Sequence, residues 1–262
     1  MQSARALTSA TQPDCSTVYR NLPAFPAQSN NDNSEVIEMG KHVTLTAADG
    51  QQLDAYVARP RGEALAGLVV VQEIFGVNAH IRSVADGYAK DGFLAVAPAL
   101  FDRIQPKVEL GYEPSDIQKA MSFAPRVDIN KTMLDVAAAI DYATGATHKK
   151  VGIVGYCFGG TVAWLAATRL HPAAAVGYYG GRIVNYASEI PSAPVMLHFG
   201  KDDAHIPASA VEQVRAAHPD VEIYWYEHAG HAFNRDIGPG YNPDAAKVAR
   251  QRSLNFLSKN LA

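Results

Sequence analysis

Two kinds of hydrophobic pattern follow one another along the 262 residues of this chain. The segments HVTLTAADG and LDAYVARP alternate apolar and polar positions around Asp49 and Gly50, which predicts an antiparallel hairpin of two strands. After Gly67 the pattern changes to continuous apolar runs, which are typical of parallel strands buried on both faces. These runs cover residues 68–71, 93–97, 151–154, 173–176, 195–199 and 221–226.

Segments with helical periodicity separate the apolar runs, at about residues 80–90, 128–142, 161–170, 208–217 and 244–257. Because strands and helices alternate, we predict one α/β domain over residues 39–262, with a mostly parallel, doubly wound sheet and the N-terminal antiparallel hairpin at its edge. Ligands of such sheets bind beyond the carboxyl ends of the strands. Glu73, Cys157, Asp203 and the loop after Tyr226 all follow predicted strands, so we expect them to meet at one rim.

Two stretches lack a regular pattern. Residues 1–38 are rich in turn-forming residues and are expected to form an extended N-terminal arm. The stretch 102–126 is expected to be irregular, either as a plain surface connection or as a lid over the rim. If it is a lid, its aromatic residues Tyr112 and Phe123 are candidate substrate contacts.

Composition narrows the range of functions. A formal net charge of -3 gives no electrostatic footprint for nucleic acid or for an anionic membrane. The two cysteines, Cys15 and Cys157, offer no disulfide framework. With no apolar signal segment and no run of membrane-spanning length, we expect a cytoplasmic protein. Nothing in the sequence requires more than a monomer, and no metal-binding motif or cofactor is expected.

The segment VGIVGYCFGG, residues 151–160, predicts a nucleophile elbow with Cys157 at its apex. Glycines on both sides of the cysteine suit a sharp turn from strand to helix, because they remove Cβ atoms that would collide there. A thiol at a helix N-terminus is also placed where a thiolate is stabilised. The alternative is that Cys157 is a small, inert core residue.

A cysteine nucleophile needs a base and a group that orients the base. In α/β-hydrolases these residues follow in the order nucleophile, acid, histidine, each after a successive strand. Cys157 is followed by Asp202 and Asp203, and then by His231. His205 and His228 are the nearest alternatives to His231, and position alone leaves the choice between the two aspartates open.

Four separated blocks of sequence together resemble the dienelactone hydrolase family, the carboxymethylenebutenolidases. The blocks are QEIFGVN at 72–78, GYCFGG at 155–160, GYYG at 177–180 and YEHAGHAF at 226–233, and the resemblance covers about residues 43–257. It implies an α/β-hydrolase fold and the opening of an enol-lactone through a thioester. In the family's pattern Cys157 is the nucleophile and His231 the base. Asp203 orients the base, since it takes the aspartate place in the G-x-x-D segment that begins at Gly200.

The resemblance also implies roles for residues around the elbow. The oxyanion hole would be formed by the backbone N–H groups of Phe158 and Ile74. Glu73 would hold the resting thiol neutral or take its proton when substrate arrives. Without the family pattern, capping or an ion pair with Arg82 is an equal interpretation of Glu73.

Substrate recognition is less well defined by the pattern. Arg235 matches an arginine that pairs with Glu73 or with a substrate carboxylate, although it could be a solvated loop residue. A second substrate arginine has no clear counterpart, since Arg103 lies too early and Lys107 and Lys119 are the nearest later cations. The expected partner is a small lactone or ester. Hydrolysis of another ester, lactone or thioester, a redox role for Cys157, and a binding module with a relic site are the alternatives.

Overall fold

A computed structural model describes residues 40–238 and 240–262, and these contain eight strands and six α-helices. The strands are β1 Lys41–Thr46, β2 Gln52–Ala58, β3 Ala66–Val71, β4 Phe93–Pro98, β5 Val151–Tyr156, β6 Ala174–Tyr178, β7 Val195–Gly200 and β8 Glu222–Tyr226. The helices are α1 Ala79–Lys90, α2 Pro114–Phe123, α3 Ile129–Thr147, α4 Phe158–Arg169, α5 Ala208–Ala217 and α6 Pro243–Leu261. The predicted arm at 1–38 lies outside the described residues.

The eight strands form one sheet in the order β1-β2-β4-β3-β5-β6-β7-β8. The pairs β1–β2 and β2–β4 are antiparallel, whereas every pair from β4–β3 to β7–β8 is parallel. This arrangement is the α/β-hydrolase fold, with the predicted hairpin at one edge of the sheet. The continuous apolar runs predicted these strands well, since every residue of β3, β4, β5, β6 and β7 is buried.

The last strand differs from the prediction that it is buried on both faces. Among the described strands, β8 pairs with β7 alone and forms the other edge of the sheet, and its first four residues are exposed or half-buried. Its aromatic residues Tyr224 and Trp225 are half-buried and make the segment as apolar as a central strand. Hydrophobicity alone therefore did not distinguish this edge strand from the core strands.

The stretch 102–126 is more ordered than its sequence predicts, because it contains helix α2 and a short 3-10 helix at 124–126. Only Ala120 and Phe123 of α2 are buried, whereas Ile117 and Met121 are exposed, so the helix has no clear apolar face in the sequence. The stretch packs in a second hydrophobic cluster, formed by Phe75, Phe101, Val108, Leu110, Ala120 and Phe123. A backbone hydrogen bond from Leu110 N–H to Phe75 O, 2.9 Å, attaches it to the loop after β3.

Candidate active site

Cys157 lies at the sharp turn between β5 and α4, with φ 54° and ψ −113°. A positive φ is unfavourable for a residue with a side chain, and such strain is concentrated at functional sites. The flanking glycines are needed for contact: a Cβ on Gly155 would lie 1.9 Å from Gly159 O, and one on Gly159 would lie 2.4 Å from Val71 O. The backbone of the turn thus packs directly against β3.

Three side chains that follow β5, β7 and β8 form a connected line. His231 Nε2 lies 3.2 Å from Cys157 Sγ, and His231 Nδ1 lies 2.8 Å from Asp203 Oδ2. Because an ionised carboxylate only accepts hydrogen bonds, Nδ1 carries the hydrogen and Nε2 faces the sulfur. The second oxygen of Asp203 accepts a hydrogen bond from His205 N–H at 2.8 Å, which fixes the carboxylate.

The structure places the alternatives to these residues elsewhere. Asp202 is exposed, and its backbone N–H donates to Ala229 O. His228 is exposed and has a left-handed backbone with φ 54°. His205 is exposed too, but its ring packs edge-on against His231, with the centroids 5.3 Å apart. Asp203 and His231 are therefore the aspartate and histidine that the fold brings to Cys157.

Hydrogen bonds, charge and burial determine the pKa values of His231 and Asp203. Burial disfavours the charged imidazolium, but hydrogen bonds to Asp203 and Cys157 outweigh it and raise the pKa of His231 to about 10. Burial would raise the pKa of Asp203, whereas its hydrogen bond to His231 and its backbone partner lower that pKa below the usual range. His231 is thus a strong proton acceptor beside the thiol.

Glu73 and Arg235 form a buried pair next to this line. Glu73 is 1% exposed, and its Oε2 lies 3.5 Å from Arg235 Nη1. Arg235 also donates through Nε to Ile237 O at 2.9 Å, and its guanidinium stands 4.1 Å from the centre of the Tyr112 ring. Arg235 is therefore buried and held in place, unlike a solvated loop arginine. Arg82, the other partner considered for Glu73, binds Val77 O and Glu109 instead.

Tyr179 is a residue at the site to which the sequence assigned no role. Its hydroxyl lies 3.5 Å from Glu73 Oε1, and its ring lies 5.1 Å from the ring of His231. Burial, then the charge of Glu73, raises the pKa of Tyr179 well above its usual value. Its position after β6, within the GYYG block, was the only signal in the sequence.

The proposed cations of the stretch 102–126 are not joined to this site by hydrogen bonds or ion pairs within the described part of the chain. Lys107 is exposed and has a left-handed backbone with φ 58°, and Lys119 is exposed on α2. Phe123 is only 2% exposed and packs on Phe101, whose ring in turn contacts Phe158. Direct contact of these three residues with a substrate remains a prediction.

The two predicted oxyanion donors lie at suitable places in the backbone. Phe158 is the first residue of α4, so its N–H has no acceptor within the helix. Ile74 is in the turn that follows β3, and β3 is the neighbour of β5 in the sheet. A helix N-terminus beside a second loop N–H group is a common origin of an oxyanion hole.

Comparison with known proteins assigns this chain to a family. Residues 53–261 match the model of the dienelactone hydrolase family. The chain belongs to this family. It is 34% identical over 226 residues to a carboxymethylenebutenolidase of Pseudomonas putida, a match that covers 82% of this chain and 95% of the relative. A carboxymethylenebutenolidase of Cupriavidus pinatubonensis is 30% identical over 224 residues, covering 82% and 95% of the two chains.

Solved structures agree with the assignment to the dienelactone hydrolases. A Klebsiella pneumoniae protein assigned to this family superimposes with a TM-score of 0.72 at 31% identity, covering 84% of this chain and 99% of the other. The dienelactone hydrolase of Anabaena variabilis, at 19% identity and a TM-score of 0.63, shares the fold and covers 86% and 100% of the chains. The chain is thus a dienelactone hydrolase-like hydrolase of the carboxylic ester hydrolase class.

The described part of the chain offers neither a cluster of metal-binding side chains nor a membrane-spanning helix. Within residues 40–238 and 240–262, no three His, Cys, Asp or Glu side chains are grouped so as to hold a metal ion. None of the helices described is both long and apolar enough to cross a membrane.

Proposed function

We propose that the protein opens a small enol-lactone of the dienelactone type by acyl transfer through a thioester on Cys157. The observation that carries this proposal is the unbroken line from Cys157 Sγ through His231 to Asp203, at 3.2 and 2.8 Å, on a strained elbow. Nucleophilic catalysis requires such a base in contact with the nucleophile and a third group that orients the base.

In the first half of the reaction, His231 Nε2 takes the proton of the thiol and the sulfur attacks the carbonyl carbon of the lactone. The negative charge that develops on the carbonyl oxygen would be stabilised by the N–H groups of Phe158 and Ile74. When the tetrahedral species collapses, the ring C–O bond breaks. The proton on His231 passes to the enolate, either at oxygen to give the enol or at carbon to give the ketone tautomer.

In the second half, water attacks the thioester carbonyl while His231 accepts its proton. Collapse of this second tetrahedral species forms the carboxylic acid and releases the sulfur, which regains its proton from His231. Asp203 stays ionised throughout, holding the Nδ1 hydrogen so that Nε2 faces the reacting atoms. The high pKa of His231, about 10, favours transfer of the thiol proton to the ring.

Arg235 and Glu73 supply selectivity for a carboxylated substrate. The guanidinium and the Glu73 carboxylate are 3.5 Å apart, at the outer limit of a hydrogen bond, so a substrate carboxylate can replace Glu73 as the closer partner of the guanidinium. A substrate carboxylate would compete for Arg235 in the bidentate geometry that a guanidinium favours. Glu73, whose charge disfavours the thiolate in the resting site, would then be free to turn away from the thiol, so that transfer of the thiol proton to His231 is coupled to substrate binding.

The test uses a lactone that carries a carboxylate and its neutral primary-amide analogue. We expect the wild-type protein to hydrolyse the carboxylated lactone with the lower KM, and Cys157→Ala and His231→Ala to be inactive on both. Equal rates in all three proteins would refute the nucleophilic mechanism. Equal KM values for the two lactones would refute recognition by Arg235 and favour the alternative, a hydrolase of neutral esters or lactones.

A further inference from the structure

Arg235 is carried by the loop between β8 and α6, so its position depends on what holds that loop. The neighbouring residues Asp236, Ile237 and Gly238 are exposed, and Gly238 has a positive φ of 87°. The backbone N–H of Arg235 donates a turn hydrogen bond to Ala232 O at 2.9 Å. Because exposed loop segments open easily, contacts from outside the loop help to fix the segment that follows Arg235 and with it the position of the guanidinium.

That support comes from His80, in the first turn of α1. His80 Nδ1 lies 3.1 Å from Asp236 Oδ1, across 156 positions of the sequence. The histidine is 3% exposed, while the side chain of Asp236 is 60% exposed. Since the carboxylate accepts, Nδ1 is the donor. A buried, rigid ring on a helix thus holds the residue that directly follows Arg235.

The same turn of α1 supports Arg235 by a second route. Asn78, the N-cap of α1, donates through Nδ2 to the hydroxyl of Tyr112 at 3.1 Å and to Leu110 O at 2.9 Å. The ring of Tyr112 lies against the Arg235 guanidinium. Asn78 therefore supports Arg235 through Tyr112, whose ring contacts the guanidinium. His80 supports it through Asp236, the next residue in the chain.

The environment of Nε2, the other ring nitrogen of His80, indicates which polar contact this side chain makes. Nε2 is buried and has no hydrogen-bonding partner among the described residues. A buried polar atom without a partner is costly, and most side chains in proteins avoid it. Among the described residues, the polar contact of the ring is therefore the one from Nδ1 to Asp236.

We propose that His80 is a positioning residue for Arg235, which fixes through Asp236 the loop conformation in which the guanidinium faces Glu73 and an incoming carboxylate. This inference rests on the proposed role of Arg235 in carboxylate recognition. His80 itself touches neither substrate nor the reacting atoms. Its effect belongs to substrate binding, so it changes KM for a carboxylated substrate and leaves kcat nearly unchanged.

The test compares two variants in which His80 is replaced by a residue with an amide side chain. The amide nitrogen of His80→Asn can take the place of Nδ1, whereas that of His80→Gln falls near Nε2 and does not reach Asp236. On the carboxylated lactone, we expect His80→Gln to raise KM about tenfold, as loss of a hydrogen bond to a charged group does. His80→Asn should stay within about twofold of wild type. On the amide analogue, both variants should match wild type.

Asp236→Ala provides a second variant, because this exposed side chain can be removed with little risk to folding. It should reproduce the effect of His80→Gln, and the double variant should be no worse than either single one, since both remove the same contact. Equal effects of His80→Asn and His80→Gln, or additive effects in the double variant, would overturn the proposal.

Arg235→Met separates this inference from the proposed function. If Arg235→Met abolishes the preference for the carboxylated lactone while His80→Gln and Asp236→Ala preserve it, only the positioning role fails. If Arg235→Met preserves the preference, Arg235 does not recognise the carboxylate, and both the proposed recognition and the positioning role fail.

Discussion

At the scale of single residues, the order of the sequence was sufficient for some side chains and not for others. Cys157, Asp203 and His231 each follow a strand, so their meeting at one rim could be predicted. The contact of Tyr179 with Glu73 spans 106 positions, and no spacing rule predicts which of many buried tyrosines turns towards a carboxylate. Such contacts depend on side-chain direction within the folded core.

A first prediction concerns the proton on His231. In Asp203→Asn the ring loses its charged partner, so the pKa of His231 should fall from about 10 towards the ordinary 6.5. Nuclear magnetic resonance of labelled histidine should show this fall directly. Turnover should decrease by roughly four orders of magnitude, because the ring loses its orientation as well as its basicity.

The same variant should change how stability depends on pH. The folded-state pKa of His231 is raised, so its contribution to stability is complete below about pH 6.5 and is lost as pH rises through about 10. The pKa of Asp203 is lowered, so its contribution is lost only in acid, below its usual 3.8. The difference in unfolding free energy between wild type and Asp203→Asn should therefore be largest between about pH 3.8 and pH 6.5. It should shrink as the pH rises through about 10. A difference that grows towards pH 10 would contradict this account.

At the scale of elements, continuous burial made the central strands predictable, and partial burial obscured α2 and the edge character of β8. The glycines around Cys157 predicted that the chain packs closely at the elbow, but they did not predict which atoms of α4 and β3 approach each other. The structure identifies the backbone atoms that require them, such as Val71 O and Gln72 O opposite Gly159.

A second prediction follows from that approach. Gly159→Ala places a Cβ 2.4 Å from Val71 O and 2.6 Å from Gln72 O, so α4 and β3 must separate. We expect a loss of about 2–3 kcal/mol in unfolding free energy and a fall in kcat, because Phe158 and Ile74 move apart. Urea denaturation measures the first and steady-state kinetics the second.

Gly145 is the matched control for this substitution. It lies in the last turn of α3, two residues before the helix ends, and a Cβ there meets nothing within 4 Å. Gly145→Ala should stabilise the protein by about 0.5–1 kcal/mol, because alanine is the better helix former. If both substitutions had the same effect on stability and activity, close packing of the elbow could not be the reason for Gly159.

At the scale of the whole molecule, an arginine near the predicted substrate cations holds separate parts of the fold together. Arg103 donates to Asp135 on α3 through Nε and Nη2, both at 2.8 Å, and to Asp49 in the β1–β2 turn at 2.8 and 2.9 Å. The side chain of Asp135 is 1% exposed, so its carboxylate depends on this partner. The fold thus uses Arg103 to join the hairpin, the stretch 102–126 and α3.

A third prediction tests this structural role. Arg103→Leu leaves the carboxylate of Asp135 buried without its partner, which should destabilise the protein by about 3 kcal/mol. The double variant Arg103→Leu/Asp135→Leu should recover much of this loss, because both charges are then absent. The ratio of KM values for the carboxylated and neutral lactones should not change. A change in that ratio would instead make Arg103 a substrate residue.

The central claim, that Cys157 forms a thioester during turnover, is tested most directly by mass spectrometry of acid-quenched reactions. Opening of a lactone keeps the leaving oxygen attached to the acyl group, so the peptide with Cys157 should gain the full mass of the lactone. The account predicts this adduct on Cys157 in wild type, and no adduct or turnover in Cys157→Ala. An adduct on another residue, or turnover by Cys157→Ala at the wild-type rate, would contradict it.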